Sequence, residues 1–124
     1  MRLEEALYAY LGPKLGDNVY PLYLPQHVVL PAVVLTPISV ERLHTFQENT
    51  SWLKQRIQFS CMASSYQAAV EVAQIIQSEL QRCAGPLSDL WIAGVWLRGE
   101  TSDLEAATSV YRVVLEFEFL LEEG

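Results

Sequence analysis

Alternation is the strongest signal in this chain. Between residues 52 and 62, Leu53, Ile57, Phe59 and Cys61 share one phase, while Trp52, Lys54, Arg56, Gln58 and Ser60 take the other. That period of two predicts a half-buried β-strand. Gln55 is the polar misfit on the apolar phase and is expected beyond the edge of the core. Residues 109–121 repeat the pattern, with Tyr111, Val113, Leu115, Phe117 and Phe119 on one phase and Arg112, Glu116 and Glu118 on the other. Residues 32–40 are apolar and β-branched and predict a third strand, although Pro37 pushes it toward an edge or a bulge. Residues 90–98 predict the fourth.

Two stretches change the period. Over residues 65–84, Ala69, Val72, Ile76, Leu80 and Cys83 recur every three or four positions, the spacing of one helix face. Ser64 and Gln67 form a capping-box pattern at its start, and Gly85-Pro86 ends it. Residues 2–11 predict a shorter helix from Leu3, Leu7, Tyr10 and Leu11, with Glu4 and Glu5 at the positive end of its dipole and Gly12-Pro13 as its stop. Residues 15–31 are punctuated by Pro21, Pro25 and Pro31, so they run over the surface, and Val19 and Tyr20 can add a short extra edge strand. Polar residues 41–51 predict a projecting hairpin loop, and acidic residues 99–108 a second loop.

The order helix, hairpin, helix, hairpin predicts a single α+β domain over residues 1–124: an antiparallel four-stranded sheet with two helices on one face. Lys54 and Arg56 on one strand complement Glu116 and Glu118 on another, which predicts that these two strands pair at the sheet's centre. The strands starting near Ala32 and Leu90 then flank them.

Composition narrows the class. A chain of 124 residues with 51% hydrophobic and 19% charged residues buries a core, so disorder is a poor reading. Its apolar runs fall short of the ~20 residues of a membrane helix. The early acids Glu4 and Glu5 argue against a signal peptide, and a cytoplasmic product is expected. A net charge of −7, with scattered bases, disfavours sequence-specific nucleic-acid binding. Cys61 and Cys83 both fall on apolar phases and are expected to be buried free thiols.

No chemistry-bearing motif stands out. His27 and His44 are far apart and lack metal-ligand spacing, and there is no nucleophile elbow or phosphate-binding glycine loop. The reading is a protein that is not an enzyme and that needs no cofactor or metal. Its candidate subunit or partner interface comprises Phe46 in the polar loop, Trp52, Lys54, Arg56, Glu116 and Glu118 on the polar phase of the central strands, and Trp91. Trp91 and Trp96 fall on opposite phases of their strand by simple counting, as a two-sided outer strand would show.

An ordered set of segments is similar to the tail-completion, or tail-terminator, proteins of long-tailed bacteriophages and prophages. It runs through Leu3-Glu4-Glu5-Ala6-Leu7, Val19-Tyr20-Pro21-Leu22, Leu24-Pro25-Gln26 and Leu30-Pro31-Ala32-Val33-Val34. It continues through Arg56-Ile57-Gln58-Phe59-Ser60-Cys61, Ser65-Tyr66-Gln67-Ala68-Ala69 and Tyr111-Arg112-Val113. The resemblance implies a structural protein that forms a ring, typically hexameric, at the head-proximal end of the tail tube and takes part in head–tail joining. Its implied partners are other copies of itself, the tail tube protein and a head-connector protein. Its implied location is the virion tail, after assembly in the host bacterial cytoplasm. The negative charge would then give a lumen through which DNA passes without sticking. The alternative is a small homo-oligomeric ligand-binding or regulatory α+β module.

Overall fold

The computed structural model describes residues 2–43 and 51–123. Their elements run in the order α1 (Leu3–Leu11), a 3-10 turn (Gly12–Leu15), β1 (Val19–Pro21), β2 (Ala32–Leu43), β3 (Ser51–Ala63), α2 (Tyr66–Gln81), β4 (Gly85–Leu87), β5 (Leu90–Glu105) and β6 (Val110–Glu123).

The sheet corrects the four-stranded antiparallel expectation: it has six strands in the order β1-β2-β3-β6-β5-β4 and is mixed. β1 lies parallel to β2, with Val19 opposite Val33 and Pro21 opposite Leu35. The Asn18 amide makes this possible by donating to the carbonyls of Val29 (3.1 Å) and Pro31 (3.2 Å). It thereby folds the proline-punctuated segment back on itself, beside the start of β2. At the opposite edge, Gly85-Pro86 does more than end a helix. Gly85 adopts φ 106°, open to glycine alone, and the chain enters β4, which pairs with β5 across a turn at Ser88 and Asp89. Pro86 is tolerated because β4 is an edge strand.

The centre follows the alternation. β3 and β6 pair antiparallel, with Ile57 opposite Phe117 and Phe59 opposite Leu115, and β2 and β5 flank them. The apolar phase of β2, β3 and β6 forms one cluster with Leu3, Leu7 and Leu11 of α1 and Ala69, Val72, Ile76 and Leu80 of α2, so both helices cover the same face. Phe59 and Phe117 meet edge to face at 5.7 Å within it. The Tyr10 hydroxyl joins the helices by donating to Glu79, 3.1 Å to its Oε2.

Local corrections have local causes. The N-cap of α2 is Ser65, not Ser64: its Oγ accepts the Ala68 N–H at 3.2 Å. Gln55 is not beyond the core edge; it is buried, and its Nε2 donates to Glu4 Oε1 at 2.6 Å beneath the start of α1. Most of the expected acidic loop at 99–108 is strand, with only residues 106–109 forming the turn. The expected projecting loop falls largely on residues 44–50, outside the described residues, as do His44 and Phe46.

Candidate assembly surface

Because side chains alternate across a strand, the phase opposite the core faces away from both helices. β3 presents Trp52, Lys54 and Arg56 there, and β6 presents Glu116, Glu118 and Glu122, registered so that Trp52 faces Glu122 and Arg56 faces Glu118. The two central strands thus bring five of the sequence-predicted interface residues onto one uncovered face. Trp91 joins them opposite Glu122.

Glu118 organises this face. Its side chain is only 5% exposed, yet it meets three cations. Arg98 Nε donates to its Oε2 at 2.7 Å, and Lys54 and Arg56 each lie 3.8 Å from its Oε1. Arg56 also pairs with Glu116 at 3.3 Å. The Arg98 hydrogen bond, reinforced by the charges of Arg98, Lys54 and Arg56, holds the Glu118 carboxyl below its ordinary range against the opposing pull of desolvation. Toward the hairpin tip, Arg112 grips Asp103 with two nitrogens, Nε to Oδ1 at 3.0 Å, and that hydrogen bond lowers the Asp103 pKa.

Arg98 is a part of the site that simple alternation misses. It is the extra residue of a bulge, since the register steps from Leu97 to Gly99 while β6 advances by one. A second bulge between Ile92 and Gly94 shifts the phase of β5. Trp91 and Trp96, which straddle the strand by counting, therefore face Glu122 and Glu118 on the same side. They are 50% and 44% exposed. The Trp96 indole lies against Gly94, where an added Cβ would come within 2.6 Å of the ring. The Arg98 guanidinium sits 5.8 Å from the centre of the Trp96 ring, linking the aromatic to the ionic cluster.

Nucleophilic chemistry has little footing among the described residues. Burial pushes the Cys61 thiol up to about 12 and the Cys83 thiol up to about 11, so both stay protonated and inert at neutral pH. His27 is exposed on the punctuated segment. No cluster of His, Cys, Asp and Glu suited to a metal occurs among the described residues, and no described helix is long and apolar enough to cross a membrane. Ligand pockets begin at ~300 Å³; a cleft beside α2, lined by Lys14, Asn18, Pro31 and Ile75 among others, holds about 160 Å³, and a concavity along the β5–β6 hairpin, lined by Met62, Asp103, Leu104 and Arg112 among others, holds about 360 Å³.

The sheet packs an apolar core against both helices on one side and carries a charged, tryptophan-bearing face on the other. The chain belongs to the family described as tail completion protein gp17, whose model matches residues 2–122. It is a structural component of a phage tail and works in virion assembly. Among solved structures it is similar to a chain in the virion of a native gene transfer agent (GTA) particle, at 20% identity and a TM-score of 0.69. That match covers 97% of this chain and 91% of the other, and shows a shared fold. No curated protein matches the chain.

Proposed function

We propose that this protein closes the head-proximal end of the tail tube as a ring, hexameric as in the tail-terminator proteins it resembles, and takes part in joining tail to head. The observation that carries the reading is the family match across residues 2–122. The kinship in fold to a chain of a virion particle supports it. In this reading the protein does no bond-making. It acts by contact with its own copies, with the tube protein and with a head connector, first in the host cytoplasm and then in the finished tail. The surface of Trp52, Lys54, Arg56, Glu116, Glu118 and Trp91 contributes to those contacts, together with Phe46 from the segment between β2 and β3.

Electron microscopy of the protein mixed with isolated tail tubes tests this. Rings on one tube end only are expected, and tubes so treated stop elongating. Arg56→Glu, which places a like charge beside Glu116 and Glu118, should reduce capping at least about tenfold; circular dichroism and thermal melting of the variant separate lost contact from lost stability, and Trp52→Ala, which leaves the ion pairs in place, should weaken capping with little change in melting. Tubes that remain bare at both ends, or that are coated along their sides, would remove the proposal.

A further inference from the structure

The sheet has two unfinished edges. β1 flanks β2 only from Val33 to Leu35, so from Thr36 onward no described strand lies on that side. β4 flanks β5 only from Leu90 to Ile92, leaving the stretch from Ala93 to Glu105 likewise without a strand beyond it. A long open edge is a template for pairing with another chain unless proline, charge or bulges blunt it.

Exposed apolar side chains are concentrated on the same two edges. Leu22, Tyr23, Val29, Ile38 and Val40 stand along the β1–β2 side, where the Leu22 N–H bonds the Leu35 carbonyl. Trp96, Leu97 and Leu104 stand along the open stretch of β5, and Trp91 lies just before it, opposite Pro86 of β4. Among the described residues, Tyr66 and Ile75 on α2 are the remaining exposed large hydrophobics. Leu22 also holds a left-handed backbone, φ 64°, while presenting its side chain to solvent at 66% exposure.

The two edges lie at opposite ends of the strand order and carry different residues, and a closed ring is built from a heterologous contact, in which one edge meets the other rather than its own copy. A copy added at one edge leaves the other open for the next. The geometry points to head-to-tail self-association in which the β5 edge of one copy packs on the β1–β2 edge of the next. This rests on the ring reading above and assigns its subunit interface. Pro37 offers no donor, and the bulge at Ile38 breaks the register of β2. The contact is therefore made mainly by apolar side chains, and a long continuous ladder is prevented from forming between stray copies.

The test uses the full chain assembled on tail tubes. A benzophenone photo-crosslinker placed at Ile38 should form adducts within residues 93–105 of another copy, read by mass spectrometry of the cross-linked peptides. Val40→Asp and Leu104→Asp should each weaken association at least about tenfold. Mixed together they should yield dimers and nothing larger, since one good interface survives per pair. Circular dichroism and thermal melting confirm that both variants fold. Adducts joining Ile38 to the β1–β2 edge of another copy, or variants that assemble as the parent does, overturn the assignment. Rings whose adducts lie elsewhere remove it and leave the ring reading standing, whereas the absence of any ring removes both.

Discussion

Glu118 is a carboxylate almost wholly enclosed by side chains on the sheet face turned away from the helices, and three cations keep it charged there. Its folded pKa lies below its ordinary 4.5, so the stabilisation it contributes is present above that value and is lost as pH falls through the lower folded one. Glu118→Gln should be less stable than the parent at pH 7, because Arg98 and its neighbours lose their counter-charge, and the gap should narrow toward pH 3. Urea unfolding at the two pH values reads this; an undiminished gap at pH 3 contradicts it. The thiols run the other way. Cys61 and Cys83 have folded pKa values near 12 and 11, above the ordinary 9.0, so what they contribute is intact below about pH 9 and declines as pH rises toward those values. Native protein at pH 8 should resist iodoacetamide for hours and be alkylated at both sites within minutes in urea. Fast native labelling would show that the core around β3 opens readily.

At the scale of elements, helices and strands divide by how much of each was written in local pattern. α2 was legible because its stripe from Ala69 to Leu80 and its hydroxyl cap are local; the structure moves the cap from Ser64 to Ser65 and ends the helix at Gln81 rather than 84, leaving Cys83 beyond it. Ser65→Ala should cost about 1 kcal/mol in chemical denaturation, and Ser64→Ala close to nothing. The β3–β6 pairing was legible because alternation and complementary charge agreed on it. What alternation does not carry is an extra residue. Bulges at Ile38, Ala93 and Arg98 each shift the phase by one, and that is why Trp91 and Trp96 seemed to oppose each other and why Arg98 went unnoticed. Neither does it carry long-range edges. The parallel seat of β1 is held by long-range bonds, the Asn18 side chain reaching carbonyls 11 and 13 residues away and the Val33 N–H donating to the Asn18 carbonyl, and β4 hides in three residues after a helix stop. Six of the predicted interface residues were nonetheless brought to one face, because charge on the polar phase of a central strand signals a face left without helices.

For the whole molecule, the consequence is a gradient of order along the sheet. Ile57, Phe59 and Cys61 on β3, and Leu115 and Phe119 on β6, lie under both helices with essentially no exposure. The β5–β6 hairpin runs past that cover. Gln77 of α2 still reaches Glu100 at 3.4 Å, but Thr101–Glu105 are exposed on both faces and are tied across the hairpin by the Arg112–Asp103 pair. Opening the distal hairpin exposes little apolar surface, so it costs far less than opening the centre. Amide hydrogen exchange in the free protein should therefore be at least about a hundredfold faster at 101–105 than at 57–61, and Arg112→Ala should widen the difference without lowering the midpoint of global unfolding. If the hairpin finds its contacts in the assembled tail, the same amides should slow once the protein caps a tube, while those at 57–61, already protected by the core, change little. Equal protection at both places in the free chain would mean that the overhang is held by more than its own cross-strand pairs, and would weaken the case that it waits for a neighbour.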